Sequence, residues 1–219
     1  MNNRSHNGNH QSKVIRYIDL FCGIGGFRVA INQAAPAHGV DPICVLSSDI
    51  DEDCQTAYEG NFGERPLGDI KAVNEKSVPD HDLLLGGFPC QPFSIIGNMK
   101  GFEDTRGTLF FDIARIIKEK RPKAFVLENV KLLVGHNGGR TLARIMETLR
   151  EIGYQVDYRV FNALKFGLPQ KRERVFIVGF IKPTLFDWPV GEMPMKPLSE
   201  VLEKRVPERF FASDYFGNN

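Results

Sequence analysis

Cys90 stands in the run GGFPCQPFS, residues 86–94, between Pro89 and Pro92 on a glycine-rich turn that follows the apolar segment DLLLGG. A thiol fixed on a stiff turn is placed for nucleophilic work when its surroundings favour the thiolate. Cys22, Cys44 and Cys54 carry no such setting and read as small buried apolar residues. Glu128 ends another apolar run, AFVLEN. A carboxylate directly after four apolar residues belongs at the same edge as Cys90, half buried and suited to donate a proton. Arg172 and Arg174, two apart in QKRERVFIVG, share one face of the strand they enter. One reaction uses all these groups. A thiolate adds to carbon 6 of a pyrimidine and makes carbon 5 nucleophilic, while an acid protonates ring nitrogen 3 and an arginine holds oxygen 2. Methyl transfer to carbon 5, loss of the carbon 5 proton and elimination of the thiol would close the cycle.

Such a reaction needs a methyl donor, and DLFCGIGGFR, residues 19–28, offers a place for one. Gly23, Gly25 and Gly26 sit at the carboxyl end of the first strand, where a doubly wound sheet binds ligands and where glycine lets the backbone approach them. Asp49 ends the second strand about 20 residues past the turn, the place from which a carboxylate accepts ribose hydroxyls. The spacing is G-x-G-G and not G-x-G-x-x-G, which argues against a bound pyrophosphate and for a cofactor such as S-adenosylmethionine. Asp69, ending the short third strand, is suited to accept the adenine amino group.

The elements that must position these groups alternate along the chain. KVIRYIDLF reads as a strand, GGFRVAINQAA as a helix stopped by Pro36, PICVLSSD as a strand and DEDCQTAYEGNF as a helix with an acidic first turn. A short strand is expected near LGDI, then the strand DLLLGG, a glycine-punctuated loop over 91–107 and the helix TLFFDIARIIKEK. KAFVLENV is a strand and GRTLARIMETLREIG an amphipathic helix. YQVDYRVFNAL and RVFIVGFI are strands joined by a link too short for a crossover helix, hence an antiparallel pair. The alternation predicts an α/β fold, a doubly wound, mostly parallel sheet with that antiparallel pair near its C-terminal end. Residues 1–12 read as a disordered polar tail, 13–182 as the catalytic and cofactor-binding domain, and 183–219 as an irregular Pro-rich extension with a helical stretch at LSEVLEKR.

At 219 residues, 42% hydrophobic and 25% charged, the chain suits one globular domain with a full core. No apolar stretch approaches the ~20 residues of a membrane span and the start lacks a signal-peptide core, so a cytoplasmic location is expected. There is no C-x-x-C pair and no H-x-x-x-H, so neither zinc nor structural disulfides are expected. The net charge is only +1, without the basic excess of a self-sufficient nucleic-acid binder. The densest basic segment holds Lys165, Lys171, Arg172 and Arg174.

In their order and spacing the motifs strongly resemble those of DNA (cytosine-5) methyltransferases of the bacterial restriction and modification type. DLFCGIGGFR resembles that family's cofactor motif, GGFPCQPFS its nucleophile motif, ENV at 128–130 its acid motif and QKRERVFIVG its arginine motif; GDI at 68–70 and RGTLFFDIARI from Arg106 also fit. The resemblance covers about residues 15–181 and implies a Rossmann-like methyltransferase fold. It implies that Phe21, Gly23, Gly25, Asp49, Asp69, Ile70, Pro89 and Leu109 bind S-adenosylmethionine, with Ile50 against the adenine face. It makes Cys90 the nucleophile, Glu128 the acid at nitrogen 3 and Arg174 the oxygen 2 ligand, with Arg172 in support. The segment Gln91 to Thr108 resembles a mobile loop that closes over DNA once the cytosine has flipped out. Gln91, Ser94, Ile96, Lys100 and Gln170 would then contact DNA, with Ile95 or Ile96 entering the void left by the base.

After the arginine motif the resemblance stops. Family members continue into a target-recognition domain and two further motifs, and the terminal YFGNN only faintly resembles the start of the last. Together with the near-neutral charge, this implies a catalytic subunit completed by a second polypeptide that supplies the base-reading surface, although a piece of a longer chain would read the same. An RNA cytosine-5 methyltransferase on the same fold is the nearest alternative reading, and a non-catalytic partner of an active methyltransferase a more distant one. The glycine spacing disfavours a dehydrogenase.

Overall fold

The computed structural model describes residues 13–89 and 109–208. The tail 1–12, Cys90, the loop 91–107 with Gln91, Ser94, Ile95, Ile96 and Lys100, and the terminal YFGNN lie outside the described residues.

Six strands form one sheet: β1 (Lys13–Leu20), β2 (Val40–Ser48), β3 (Leu83–Gly87), β4 (Ala124–Val130), β5 (Gln155–Asn162) and β6 (Glu173–Phe180), in the order β2-β1-β3-β4-β6-β5. β1 is parallel to both β2 and β3, and β3 is parallel to β4. β6 runs antiparallel to β4, with Glu128 opposite Phe176 and Val130 opposite Arg174. This is the mostly parallel α/β sheet that the alternation predicts, with the antiparallel strand near its end. Tyr17, Ile18, Asp19 and Leu20 are all buried, as a central strand covered on both faces requires. β6 accommodates Gly179 because the Phe125 ring of β4, directly opposite, fills the space that a side chain there would take.

The crossover helices are α1 (Gly26–Ala34), α2 (Glu52–Phe62), α3 (Leu109–Lys120) and α5 (Arg140–Glu151), with a single turn, α4 (Leu132–Gly135), ahead of the last. α2 starts where the side chain of Asp51 accepts the Cys54 amide at 2.9 Å and stops at Gly63, whose φ of 74° few side chains tolerate. α3 buries Phe110, Ile113, Ala114 and Ile117, spaced three and four apart along one face. With Leu142, Ile145 and Leu149 of α5 and Leu84, Phe125 and Leu127 of the sheet, they form the main core.

The strand expected near LGDI does not form. Pro66 removes a ladder donor, leaving Leu67 one parallel bridge to Ser48, and the Asp69 carboxylate accepts the Lys71 amide at 3.0 Å to cap a 3-10 turn over Ile70–Ala72. The local side-chain bond wins over a ladder with too few rungs.

The chain divides into two compact units, Met1–Val160 with Arg174–Trp188, and Phe161–Glu173 with Pro189–Asn219. In the first, residues 183–188 return to β5: the Trp188 indole donates to Asp157 at 2.7 Å and the Thr184 amide to Gln155 at 3.0 Å. In the second, the Met193 amide donates to the Lys165 carbonyl and that of Lys196 to the Gly167 carbonyl, and a short α6 (Leu198–Val201) follows. Gln170 and Arg172 belong to this unit, both exposed. β6 begins at Glu173, so Arg172 precedes the strand on which it was expected to share a face with Arg174. Its carbonyl instead accepts the Ala163 amide and closes the link.

Candidate active site

The order of the sheet creates the site. β2 and β3 leave β1 on opposite sides, so the carboxyl ends of β1 and β3 part at a switch point, where a crevice opens. A cleft of about 320 Å3 lies there. It is lined by Phe21 after β1, Ser48, Asp49 and Ile50 at the end of β2, Asp69, Ile70 and Lys71 from the capped turn, Gly87 and Pro89 at the end of β3, and Leu109 at the start of α3.

Two carboxylates on its wall are held by backbone alone. Asp49 accepts the Gly23 amide at 2.8 Å with one oxygen and the Asp51 amide at 3.0 Å with the other, and the Asp69 oxygen Oδ1 accepts the Lys71 amide. Each carboxylate keeps lone pairs free for hydroxyl or amino donors. Ile50, 71% exposed beside them, offers an apolar side chain to a flat ring. Adenosine fits this set: ribose hydroxyls at Asp49, an amino group at Asp69 and the ring against Ile50. The residues thus suit the adenosyl part of S-adenosylmethionine.

The glycines act one step back from the cleft. Gly23, at φ 54°, presents its amide to Asp49, and Gly25, at φ 95°, lies so close to the Phe62 ring of α2 that no side chain would fit. Neither lines the cleft. Arg28 braces this corner, paired with both oxygens of Glu64 at 2.9 and 3.1 Å and stacked on Phe62 with 4.7 Å to its centroid.

Along the same edge, Glu128 and Arg174 come together. Their side chains are each 22% exposed, and Arg174 Nε donates to Glu128 Oε1 at 2.8 Å. A Cβ at Gly87 would lie 3.5 Å from Glu128 Oε2 and 3.9 Å from the Phe21 carbonyl. The end of β3 therefore touches the cleft on one side and the Glu128 carboxylate on the other. Asn129 ties this junction down: buried, it donates to the Phe88 carbonyl at 2.8 Å and accepts the Val130 amide. Phe88 and Pro89 are the last described residues before Cys90.

Sequence reasoning passed over Ser48, Lys71, Gly87 and Asn129. Ser48 and Lys71 stand next to residues of the motifs, Gly87 and Asn129 within them, and the contact from Asn129 to Phe88 spans 41 residues. It also passed over Asp19, which is fully buried with no hydrogen-bond partner for either oxygen among the described residues. Burial pushes its pKa up to about 7, offset by the Arg28 charge and reinforced by Asp49. Cys22 is buried, Cys44 and Cys54 partly so, and burial raises all three thiols. Among the described residues no group of three His, Cys, Asp or Glu suits a metal ion, and no helix is long and apolar enough to cross a membrane.

Comparison with known proteins agrees with the geometry. The family model for the C-5 cytosine-specific DNA methylase matches residues 15–212. The Type II methyltransferase M.NgoBI of Neisseria gonorrhoeae is 51% identical over 199 residues, 90% of this chain and 61% of its own length. The Type II methyltransferase M.HhaI of Haemophilus parahaemolyticus is 52% identical over 166 residues, 76% of this chain and 49% of its own. The chain thus spans between about two fifths and two thirds of the length of the curated relatives it matches. Two solved structures share the fold with TM-scores of 0.71: Entamoeba histolytica methyltransferase EhMeth at 20% identity and Spodoptera frugiperda DNMT2 at 22%, each covering 90% of this chain and 62% of the other. With the family model covering nearly all of the sheet and its site, the chain belongs to the C-5 cytosine-specific DNA methylases.

Proposed function

We propose that the chain transfers a methyl group to carbon 5 of a cytosine flipped out of double-stranded DNA, through a covalent adduct at Cys90. The observation that carries this reading is the end of β3, which lies against both the adenosine-sized cleft and the Glu128–Arg174 pair, three residues before the thiol. S-adenosylmethionine bound in the cleft would supply an electrophilic methyl group. Asp49 would hold its ribose and Asp69 its adenine amino group, with Phe21, Ile50, Ile70, Pro89 and Leu109 against its apolar parts. Cys90 adds to carbon 6, Glu128 delivers a proton to nitrogen 3, and Arg174 donates to oxygen 2, so the enamine forms without a free negative charge on the ring. After carbon 5 is methylated, its proton is lost and the Cys90 thiolate leaves, restoring the aromatic ring. Flipping is required because carbon 6 is unreachable within a stacked duplex. The segment 91–108 is assigned to closing over the flipped base, with Gln91, Ser94, Ile96, Lys100 and, from the arginine motif, Gln170 on the DNA.

Sequence reading is assigned to a second polypeptide, in keeping with a net charge of only +1. The test adds S-adenosylmethionine and a duplex containing 5-fluorocytosine, in which carbon 5 has no proton to lose, so the adduct is trapped. A covalent complex that vanishes in Cys90→Ala is expected; one that survives overturns the mechanism. Trapping by an RNA duplex and not by its DNA counterpart would overturn the DNA assignment. Sequence-specific methylation by the unaccompanied chain would overturn the second polypeptide.

A further inference from the structure

The wall that carries Asp69 has little regular structure of its own. Between the bridge at Leu67 and the start of β3 at Leu83 the backbone makes only two 3-10 turns, Ile70–Ala72 and Glu75–Ser77. One side chain from α3 gathers this segment. Arg115, 23% exposed, donates from Nη2 to the Ile70 carbonyl at 2.7 Å and from Nη1 to the Val73 carbonyl at 2.8 Å and to Glu75 Oε2 at 2.8 Å. Its Nε is held by Asp112 at 3.0 Å, which sets the plane of the fork. The same helix places Leu109 in the cleft, so one guanidinium links two parts of the wall.

We infer that Arg115 is a positioning residue for adenine selection: by holding the Ile70 and Val73 carbonyls it sets where the Asp69 carboxylate stands, without touching the ligand. This rests on the proposed reading of the cleft as an adenosine site. A planar fork can serve acceptors on three residues at once, whereas a lysine ammonium at the same place carries the charge without that geometry. Arg115→Lys therefore frees the wall while leaving the core of α3 intact.

The test measures binding of S-adenosylhomocysteine and of its deaminated analogue S-inosylhomocysteine to the full chain by calorimetry, with melting temperature recorded alongside. The parent is expected to prefer the adenine compound about 10- to 100-fold, the range for a hydrogen bond to a charged group. In Arg115→Lys the affinity for S-adenosylhomocysteine is expected to fall about 10-fold and the preference to shrink toward unity. A general loss of stability would weaken both ligands equally and keep the ratio. An unchanged ratio in a folded Arg115→Lys overturns the role of Arg115 alone. If the parent binds neither compound, or shows no preference between them, the adenosine reading fails first and the inference with it. Should Arg115→Lys not fold, Glu75→Gln at the rim of the same clamp reads the same ratio, and no change there overturns the inference.

Discussion

The two ends of the candidate site hold their carboxylates in opposite ways. Beside β1 and β2, Asp49 and Asp69 are fixed by backbone amides, and among the described residues neither is in an ion pair. Between β4 and β6, Glu128 is already joined to Arg174 at 2.8 Å. A carboxylate held by amides keeps outward lone pairs, so it is ready for neutral donors before a ligand arrives. Under the proposed mechanism, a base that enters takes over part of both partners of the ion pair, so one end serves binding and the other the stabilisation of developing charge. Asp19, buried on β1 with no hydrogen-bond partner among the described residues, shows the cost of having neither arrangement.

The sharpest way to break this comparison is at the ion pair. Glu128→Gln or Arg174→Lys is expected to lower turnover by about 100- to 10,000-fold while S-adenosylhomocysteine affinity changes less than about twofold. Single-turnover methylation with calorimetry reads this, and a matching loss in both quantities would erase the division between the two ends. Next in size is Asp19. Its raised pKa means that the folded chain binds this proton more tightly than the unfolded one. Its contribution to stability is full below about 3.8, falls as pH rises, and levels off above about 7. Asp19→Asn should lack this loss and gain up to about 4 kcal/mol on the parent across that window. Chemical denaturation at pH 5 and pH 8 checks the sign, and a difference that shrinks with rising pH would show that Asp19 is ionised and partnered.

Asp49→Ala should weaken S-adenosylhomocysteine about 10- to 100-fold and leave turnover at saturating cofactor within a few-fold, the reverse of Glu128→Gln. The smallest effect belongs to the junction. Asn129→Ala leaves the buried Phe88 carbonyl without its donor, a loss of about 1–3 kcal/mol in stability. It should slow trapping of 5-fluorocytosine more than it weakens cofactor binding, and an equal effect on both would place Asn129 outside the catalytic end.

Much of the site is legible in the chain itself because its residues follow apolar runs. Asp49 and Pro89 come just past the carboxyl ends of β2 and β3, Glu128 lies in the last three residues of β4, and parallel strands bring such ends to one edge. The illegible part depends on partners far away in the chain. The LGDI segment looks like a strand until Pro66 and the Asp69 cap are weighed against a single bridge. Arg115 lies within the run RGTLFFDIARI, but the Ile70 carbonyl that it holds is 45 residues earlier. Arg172 and Arg174 look equivalent, yet only Arg174 is on β6.

The amino-acid sequence by itself determined the βα alternation, the glycine turn and the candidate reactive side chains, because periodicity, turn chemistry and functional groups are local properties. The pairing of Glu128 with Arg174, the partnerless burial of Asp19 and the clamp on the Asp69 wall were decided only in the tertiary structure. Each depends on distance and desolvation between segments that the chain keeps apart and the sheet brings together.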